Sequence, residues 1–430
     1  MAQTVQESGY LRRVVDAELD ELMPALPAIA LEGAKGVGKT ATARRRATTE
    51  FNLDDAGTRE VLAADLGLGL ASPPPILLDE WQNLPSVWDA VRRSVDSGAE
   101  AGSYLLTGSA RLRPGIRVHS GAGRIVNLRM RPLSLAERAL CEPTVSLASM
   151  FEGPAQVSGA CGLGLRDYVR EILSSGFPGI RRFTGRALKA QLESYVTQLV
   201  QREIVDQGLA VRRPTAIRAW LSAYAAATGS TASYSKILEA ATPAEGDKPA
   251  RSTSEAYREV LNQLWLLDPV EPWLIGRDDL RRLGQAPKHY LADPALAAHL
   301  LNVDETDLYQ GSKVSVVGPQ SGSLLGRLFE NLVGLSLKTY AQAIGASLGH
   351  LRTHNGSQEI DFIVFRGDHR VVAIEVKLAS TVEDEDVRHL LWLKERLGDS
   401  LKEVAVVTTG KHAYRRSDGV AVVPAGLLGP

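Results

Sequence analysis

Residues 28–40 read Ala28-Ile-Ala-Leu-Glu-Gly33-Ala-Lys-Gly36-Val-Gly38-Lys39-Thr40, an apolar run that leads directly into a glycine-rich loop. Ala28–Leu31 predicts a short buried β-strand, and the residues that follow the loop predict a helix. From Gly33 onward the loop fits the pattern G-x-x-x-x-G-K-[ST] in full. Gly33, Gly36 and Gly38 let backbone amide groups turn toward phosphate oxygens. The stretch therefore predicts an α/β fold that binds nucleotide phosphates at the end of its first strand.

The loop and a downstream pair of carboxylates supply the groups that phosphate chemistry needs. We expect Lys39 to reach the β- and γ-phosphates of ATP and the Thr40 hydroxyl to bind Mg²⁺. The run Ile76-Leu-Leu-Asp79-Glu80 predicts a second apolar strand with two carboxylates at its C-terminal end. Asp79 suits the Mg²⁺ contact, and Glu80 suits the base that orients the attacking water.

A third apolar run, Tyr104-Leu-Leu-Thr107-Gly108-Ser109, ends in hydroxyl residues that suit holding the water or reading the γ-phosphate. Further short apolar runs at Phe51–Leu53 and Ile125–Leu128 alternate with helical or loop segments, which predicts a parallel sheet. Together the three motifs resemble the AAA+ class of P-loop ATPases. That resemblance implies that Thr107, or Ser109, is in the sensor-1 position.

Arginine is concentrated between residues 109 and 140, with seven arginines against one glutamate. In AAA+ rings an arginine of one subunit typically contacts the γ-phosphate bound by its neighbour. Arg124 is the candidate here, because it directly precedes the fifth predicted strand. Two other interpretations of the stretch stay open: a solvated basic face, and a site that binds nucleic acid. The resemblance also implies a homo-oligomer, with a nucleotide-dependent ring as one form.

Near the C-terminus, Glu359-Ile-Asp361-Phe-Ile-Val-Phe365 and Val371-Val-Ala-Ile-Glu375-Val-Lys377 predict two strands joined by a turn. Glu375 and Lys377 are two residues apart, so they share one face of their strand. A hairpin would bring Asp361 beside them. Glu330 lies upstream in a predicted helix that could pack against these strands.

These residues resemble the core of the PD-(D/E)xK nuclease superfamily, with Asp361, Glu375 and Lys377 as its motif and Glu330 as its helical acid. The resemblance implies that the carboxylates hold Mg²⁺ or Mn²⁺, which generates hydroxide, while Lys377 positions the water or steadies the phosphate. A surface hairpin with an ion pair across E-x-K is the alternative interpretation. Cleavage is a separate question from fold, because a fold can persist after its catalysis is lost.

The middle of the chain resembles a winged helix over residues 214–267. The expected helices are Ala216–Ala227, Tyr234–Ala241 and Ser252–Leu266, and Val270–Ile275 is expected to start the wing. The third helix has the basic and hydroxyl residues of a DNA-recognition helix near its N-terminus, but it also carries acidic residues that disfavour phosphate contact. A helical connector that binds no DNA therefore stays an equal interpretation.

Composition limits the remaining possibilities. The 430 residues include 49 Lys and Arg against 50 Asp and Glu, which excludes a polybasic protein but not a local basic patch. With only Cys141 and Cys161, we expect no disulfide framework, no zinc cluster and a reducing compartment. The N-terminus lacks the pattern of a signal peptide, and no apolar run is long enough to span a membrane. We therefore expect a cytoplasmic protein without a membrane partner.

Nearly the whole chain resembles a family of prokaryotic ATPases with three parts. The implied domains are an AAA+ P-loop ATPase at 1–140, a helical and winged-helix middle at 141–320, and a PD-(D/E)xK-like α/β domain at 321–430. The first hypothesis is an ATPase that acts on nucleic acid, DNA more than RNA, with metal-dependent cleavage by the last domain. The second is a nucleotide-gated regulator or scaffold that binds DNA or a protein partner without cleavage.

Overall fold

The computed structural model describes residues 9–109, 120–208, 214–242, 251–273, 286–311, 322–353 and 356–430. The chain forms two compact units, Met1–Met130 and Arg131–Pro430. Within the described ranges, no helix combines the length and the apolar character needed to cross a bilayer. The division into 1–140, 141–320 and 321–430 stays a prediction.

The N-terminal unit alternates strands with helices. Its elements are α1 Val14–Leu22, β1 Ala28–Glu32, α2 Lys39–Arg44, β2 Thr49–Asn52, α3 Ala56–Ala64, α4 Leu66–Leu70, β3 Ile76–Asp79, α5 Ser86–Asp96, β4 Tyr104–Gly108 and β5 Val126–Arg129. The first helix begins only at Val14, and residues 1–8 lie outside the described ranges. The arginines at positions 111, 113 and 117 also lie outside them.

The five strands that the structure describes in this unit form one sheet in the order β2-β3-β4-β1-β5, and every neighbouring pair is parallel. Strands β1, β3 and β4 are almost wholly buried, because helices cover both faces of a parallel sheet. Since parallel strands share a direction, the ends of β1, β3 and β4 meet at one edge, where ligands of open α/β sheets bind. The predicted parallel α/β fold is confirmed for this unit.

The C-terminal unit begins with helices and then builds a second sheet. Its elements up to the sheet core are β6 Val145–Ser146, α6 Leu147–Met150, α7 Leu165–Leu173, α8 Pro178–Arg181, α9 Gly185–Gln198, α10 Ile204–Asp206, α11 Pro214–Ala226, α12 Tyr234–Ala240, α13 Arg251–Gln263, β7 Glu271–Pro272, α14 Pro294–Leu300 and α15 Glu305–Gln310. They are followed by α16 Leu324–Ala343, β8 Ser347–Arg352, β9 Glu359–Phe365, β10 Val371–Lys377, α17 Asp384–Leu397, β11 Leu401–Thr408, β12 Tyr414–Arg415, β13 Ala421–Pro424 and β14 Leu428–Gly429.

Seven strands of this unit form a mixed sheet in the order β12-β13-β11-β10-β9-β8-β7. The predicted hairpin is present, since β9 and β10 are antiparallel neighbours, and β10 pairs in parallel with β11. Helix α17 adds Val387, Leu390 and Leu393 to a core that includes Ile363 of β9. Helix α16 approaches the sheet closely at Gly334, where an added Cβ would lie 2.9 Å from the Phe362 ring.

Two expectations for this unit need correction. The residues expected to start a wing instead form β7, which pairs in parallel with β8 of the large sheet, and positions 274 and 275 lie outside the described ranges. Cys141 and Cys161 form a disulfide, although the sequence favoured reduced cysteines. Their Cα atoms are 6.1 Å apart, a separation that disulfides ordinarily have, but the folding that brings them together is not visible in a spacing of 20 residues.

Candidate functional site

The phosphate loop joins β1 to α2, as the motif predicts. Gly33, Gly36 and Gly38 have positive φ angles of 154°, 85° and 102°. A Cβ at Gly33 would lie 2.1 Å from the carbonyl oxygen of Met130, so no larger residue fits there. Lys39 is 4% exposed, and its Nζ donates to the carbonyl oxygens of Gly33 at 2.9 Å and of residue 34 at 3.0 Å. The ammonium group is therefore held inside the loop.

Asp79 lies at the end of β3 and receives two hydroxyl hydrogen bonds. Thr40 Oγ1 donates to Asp79 Oδ1 at 2.8 Å, and Thr107 Oγ1 donates to the same oxygen. Burial raises the pKa of Asp79, and it outweighs the opposing effect of the two hydroxyl donors; the nearby carboxylate of Glu80 adds to the rise. The structure therefore brings together the two predicted magnesium ligands, from the loop and from β3.

Glu80 follows Asp79 in the left-handed region of backbone space, with φ 54° and ψ 48°. This conformation is costly for a residue with a side chain and occurs most often at functional sites. Ser109 Oγ donates to Glu80 Oε2 at 2.7 Å, and Gln82 Nε2 donates to the same oxygen. The turn thus separates the two carboxylates: Asp79 faces Thr40, whereas Glu80 faces Ser109.

The two residues considered for the sensor position have different surroundings. Thr107 is fully buried, and its hydroxyl both donates to Asp79 and accepts from the Glu80 backbone N–H at 3.2 Å. Ser109, two residues further on, contacts the Glu80 side chain instead. Thr107 is therefore hydrogen-bonded to the predicted metal ligand, Asp79, whereas Ser109 is hydrogen-bonded to the predicted base, Glu80.

Arg124 forms a surface contact within its own unit. Its Nε donates to Asp96 Oδ1 at 2.8 Å, and its Nη1 donates to the Ala122 carbonyl oxygen at 3.0 Å. The Arg124 side chain is 46% exposed to solvent. None of these contacts reaches Asp79 or Glu80, so its role toward a neighbouring subunit stays a prediction.

In the C-terminal unit, two of the predicted carboxylates, Glu330 and Asp361, lie around a lysine that the motif did not include. Lys288 Nζ lies 2.7 Å from Glu330 Oε1, 2.7 Å from Asp361 Oδ1 and 3.7 Å from Glu359 Oε1. Tyr290 donates its hydroxyl hydrogen bond to Glu330 Oε1. Among the described residues, no group of three His, Cys, Asp or Glu side chains is arranged to hold a metal ion.

Asp361 is the best-supported anion of this cluster. It accepts a hydrogen bond from the Val376 backbone N–H at 2.9 Å as well as the contact from Lys288. Burial raises its pKa, but Lys288 and the hydrogen bonds outweigh burial, so the pKa of Asp361 is lowered overall. Burial raises the pKa of Glu330 to about 7, and burial next to Asp361 raises that of Glu375 well above its usual range.

The predicted catalytic lysine lies at the margin of this cluster. Lys377 Nζ is 4.0 Å from Glu375 Oε2 and 3.6 Å from Asp386 Oδ1, and its side chain is 34% exposed. Sequence reasoning missed Lys288 and Tyr290. Their i, i+2 spacing was the available signal, because alternate residues of an extended segment point to the same side.

The three predicted winged-helix helices correspond to α11, α12 and α13. Within them, Trp220 Nε1 donates to Ser254 Oγ at 2.8 Å, which ties the third helix to the first. The Arg258 guanidinium lies 4.5 Å from the centre of the Tyr234 ring. Arg258, the described basic residue of the expected recognition helix, is therefore packed against a neighbouring helix.

Comparisons with known proteins cover the chain in three parts. Residues 26–139 match a family model described as an AAA domain. Residues 165–307 and 325–428 match two models that are each described as a domain of unknown function. An uncharacterized protein of Mycobacterium bovis and one of Mycobacterium tuberculosis are each 24% identical to this chain, over 97% of its length and 84% of theirs.

A solved structure, a Walker-type ATPase of Pyrococcus abyssi, is 16% identical and aligns over 70% of this chain and 98% of its own, with a TM-score of 0.39. A score this low does not establish a shared overall fold. The domain match and the geometry of the phosphate loop agree with each other. Residues 26–139 thus match an AAA domain in sequence and contain its phosphate loop between β1 and α2.

Proposed function

We propose that the N-terminal unit binds ATP together with Mg²⁺ and hydrolyses it, with Lys39 on the phosphates and Glu80 as the base. The observation that carries this proposal is the hydrogen bond of 2.8 Å between Thr40 and Asp79 beside the glycine-rich loop. It joins the end of the loop to the end of β3, which is the arrangement that P-loop ATPases use for the metal.

The residues present suit magnesium, with manganese as the replacement that oxygen ligands also accept. Thr40 and Asp79 offer a hydroxyl and a carboxylate oxygen, the hard donors that these ions prefer. When bound, the ion would neutralise charge on the β- and γ-phosphates. The raised pKa of Asp79 supports this fit, because a buried carboxylate with hydroxyl donors gains from a nearby cation.

Lys39 and Glu80 each form hydrogen bonds that would have to break during ATP hydrolysis. Lys39 donates to two neutral loop carbonyls, and phosphate oxygens are the stronger acceptors because they are charged. Glu80 accepts from Ser109, so it has to leave that hydroxyl before it can take a proton from water. Thr107 keeps Asp79 oriented while this happens.

ATP turnover by the full chain tests these roles. Lys39→Ala should lose ATP affinity, whereas Glu80→Gln should keep ATP affinity and lose about 10²–10⁴-fold in kcat, the usual contribution of a general base. Glu60→Gln is the matched control, because Glu60 is an exposed residue of α3. Normal turnover by Glu80→Gln would show that another group activates the water.

We infer that ATP hydrolysis controls a partner, nucleic acid or protein, that the C-terminal unit binds without cutting it. The position of Lys288 among the carboxylates supports this choice, since an ammonium group already neutralises Asp361. Adding single-stranded DNA, double-stranded DNA or RNA to the ATPase assay identifies the partner class. A rate that no nucleic acid changes would point to a protein partner.

Metal-dependent cleavage is the second candidate function, because Glu330 and Asp361 lie against one lysine and Glu375 lies 4.0 Å from the predicted Lys377. With Mg²⁺ or Mn²⁺ present, cleavage that Glu375→Ala abolishes, while ATPase survives, would establish it. Cleavage that survives in this variant would assign the activity elsewhere. The same assay on Lys377→Ala tests the role that the motif gives to Lys377.

The proposed function includes association between copies of this chain. We infer that copies of this chain associate when ATP is bound, with Arg124 contacting the nucleotide of a neighbour. Its exposure and its polar contact with Asp96 support this, because an exposed arginine can exchange one anionic partner for another. Arg124→Ala should lower the ATPase rate only at protein concentrations where copies associate. Arg92→Ala is the matched control, since Arg92 contacts Asp96 from the same helix.

A further inference from the structure

We propose that the Lys288 ammonium is a built-in cation that takes the place of a divalent metal between Glu330 and Asp361. The carboxylate cluster would then be a metal-independent junction that fastens the segment around Lys288 to α16 and to β9. This inference concerns the C-terminal unit and is independent of the proposed ATPase chemistry.

The geometry around Lys288 is that of a bound cation. Its Nζ contacts one carboxylate from α16 and one from β9, both at 2.7 Å, and Glu359 at 3.7 Å. The side chain is only 2% exposed. A divalent ion needs several oxygen ligands around one point, and here an ammonium group already contacts the same oxygens. The ion and the ammonium therefore compete for one position.

The backbone of Lys288 is hydrogen-bonded to Val270, so the origin of its side chain is fixed beside the carboxylates. Its N–H and C=O both bond to Val270 at 2.9 Å. His289, which follows, places its ring Nε2 2.7 Å from the Ala232 carbonyl oxygen. Tyr290 pairs through its carbonyl with the Asp268 N–H at 2.9 Å and through its hydroxyl with Glu330. Admitting a metal would require the Lys288 side chain to leave both Glu330 and Asp361.

Positive charge near the cluster also disfavours a metal. The Lys288 ammonium already contacts Glu330 and Asp361. Arg327 adds positive charge one helical turn before Glu330. It is 3% exposed, and its Nε and Nη1 have no hydrogen-bond partner among the described residues. A divalent cation at this cluster would be repelled by Arg327 as well as by Lys288.

Mn²⁺ binding, measured by electron paramagnetic resonance without nucleotide, tests the proposal. All proteins carry Asp79→Asn, which removes the metal ligand of the ATPase unit. The parent should bind no Mn²⁺ at this cluster. Lys288→Met should bind Mn²⁺ with an affinity at least about tenfold above any residual binding by the parent, because the carboxylates lose their cation. Lys394→Met is the matched control, because Lys394 is an exposed residue of α17, and it should behave like the parent.

Thermal unfolding gives a second readout. Mn²⁺ should raise the Tm of Lys288→Met, because a ligand that binds only the folded state stabilises it, and should leave that of the parent unchanged. Glu375→Gln should not change metal binding by the parent. Parent binding of Mn²⁺ that Glu375→Gln removes would overturn the proposal, and so would a folded Lys288→Met that binds none. If Lys288→Met does not fold, the parent and Glu375→Gln still decide the question.

Discussion

The carboxyl group of Glu330 should make the stability of the C-terminal unit depend on pH. Glu330 is buried, and burial together with Asp361 raises its pKa from 4.5 to about 7, although Lys288 acts in the opposite direction. The unfolded chain releases this proton near the ordinary glutamate pKa, whereas the folded chain keeps it to a higher pH. Folding is therefore linked to proton uptake in that window.

The direction and the size of the pH effect on stability follow from the difference between the pKa values of Glu330 in the folded and unfolded states. Below about pH 4.5 both states hold the proton, so the contribution of Glu330 to stability is complete. As the pH rises to about 7, the unfolded state ionises first and stability is lost. Each unit of pKa difference corresponds to about 1.4 kcal/mol, so the loss across the window is roughly 3 kcal/mol. Glu330→Gln has no titrating group and should lack this slope.

Hydrogen exchange in the β9–β10 hairpin measures the effect locally, because protection of these amides reports opening of this unit. The wild type and Glu330→Gln are compared at about pH 5 and about pH 8, so that intrinsic exchange rates cancel at each pH. The difference between the two proteins should change by roughly 3 kcal/mol. Glu385→Gln, on the exposed surface of α17, should show no such change. Parallel profiles for the wild type and Glu330→Gln would refute the reasoning.

Three further substitutions test other parts of the structure. Gly33→Ala should destabilise the N-terminal unit by roughly 2–4 kcal/mol in urea unfolding and abolish ATP binding, since its Cβ would meet the Met130 carbonyl at 2.1 Å. Ser109→Ala should raise basal ATP turnover by up to about tenfold, because it removes the hydroxyl that holds Glu80. Arg138→Met should destabilise the C-terminal unit by about 3–5 kcal/mol in urea unfolding, since it breaks the ion pair of the fully buried Arg138 with Glu171.

Each of these substitutions has a control that isolates its cause. Gly98→Ala also has a positive φ but meets no atom within 4 Å, so a loss equal to that of Gly33→Ala would disprove the clash. The effect of Ser109→Ala should vanish in a Glu80→Gln background, and a fall in turnover would assign Ser109 to positioning the water. Arg170→Met breaks an exposed pair and should cost less than about 1 kcal/mol; an equal cost for both arginines would contradict the burial argument.

The N-terminal unit could be predicted from sequence because its information is local. The strand, loop and helix around Gly33 and Lys39 are contiguous, and Asp79 stands at the end of a strand whose apolar pattern is plain. The sequence does not predict which carboxylate each of the two hydroxyl groups contacts. Thr107 and Ser109 are equivalent in the sequence, and only the turn at Glu80 decides which carboxylate each one contacts.

The C-terminal cluster depends on contacts between distant segments. Glu330, Asp361 and Glu375 were identified because their motif lies on predictable elements. Lys288 lies 42 residues before Glu330 and 73 before Asp361, in a segment without a helical or strand pattern. Its position follows from backbone pairing with Val270, which a single sequence does not reveal. The hairpin could therefore be predicted, but the cation between its carboxylates could not.

The carboxylate sites around Asp79 and Asp361 differ in the groups that stabilise the anion. Asp79 receives hydroxyl donors from Thr40 and Thr107, and its pKa is raised; Asp361 receives an ammonium from Lys288, and its pKa is lowered. Burial acts to raise the pKa of both carboxyl groups, so burial alone does not explain the opposite directions. A hydroxyl stabilises an anion less than a cation does, so Asp79 gains from an incoming metal, whereas Asp361 has its counter-charge already. Metal demand should therefore be confined to the unit that binds the nucleotide.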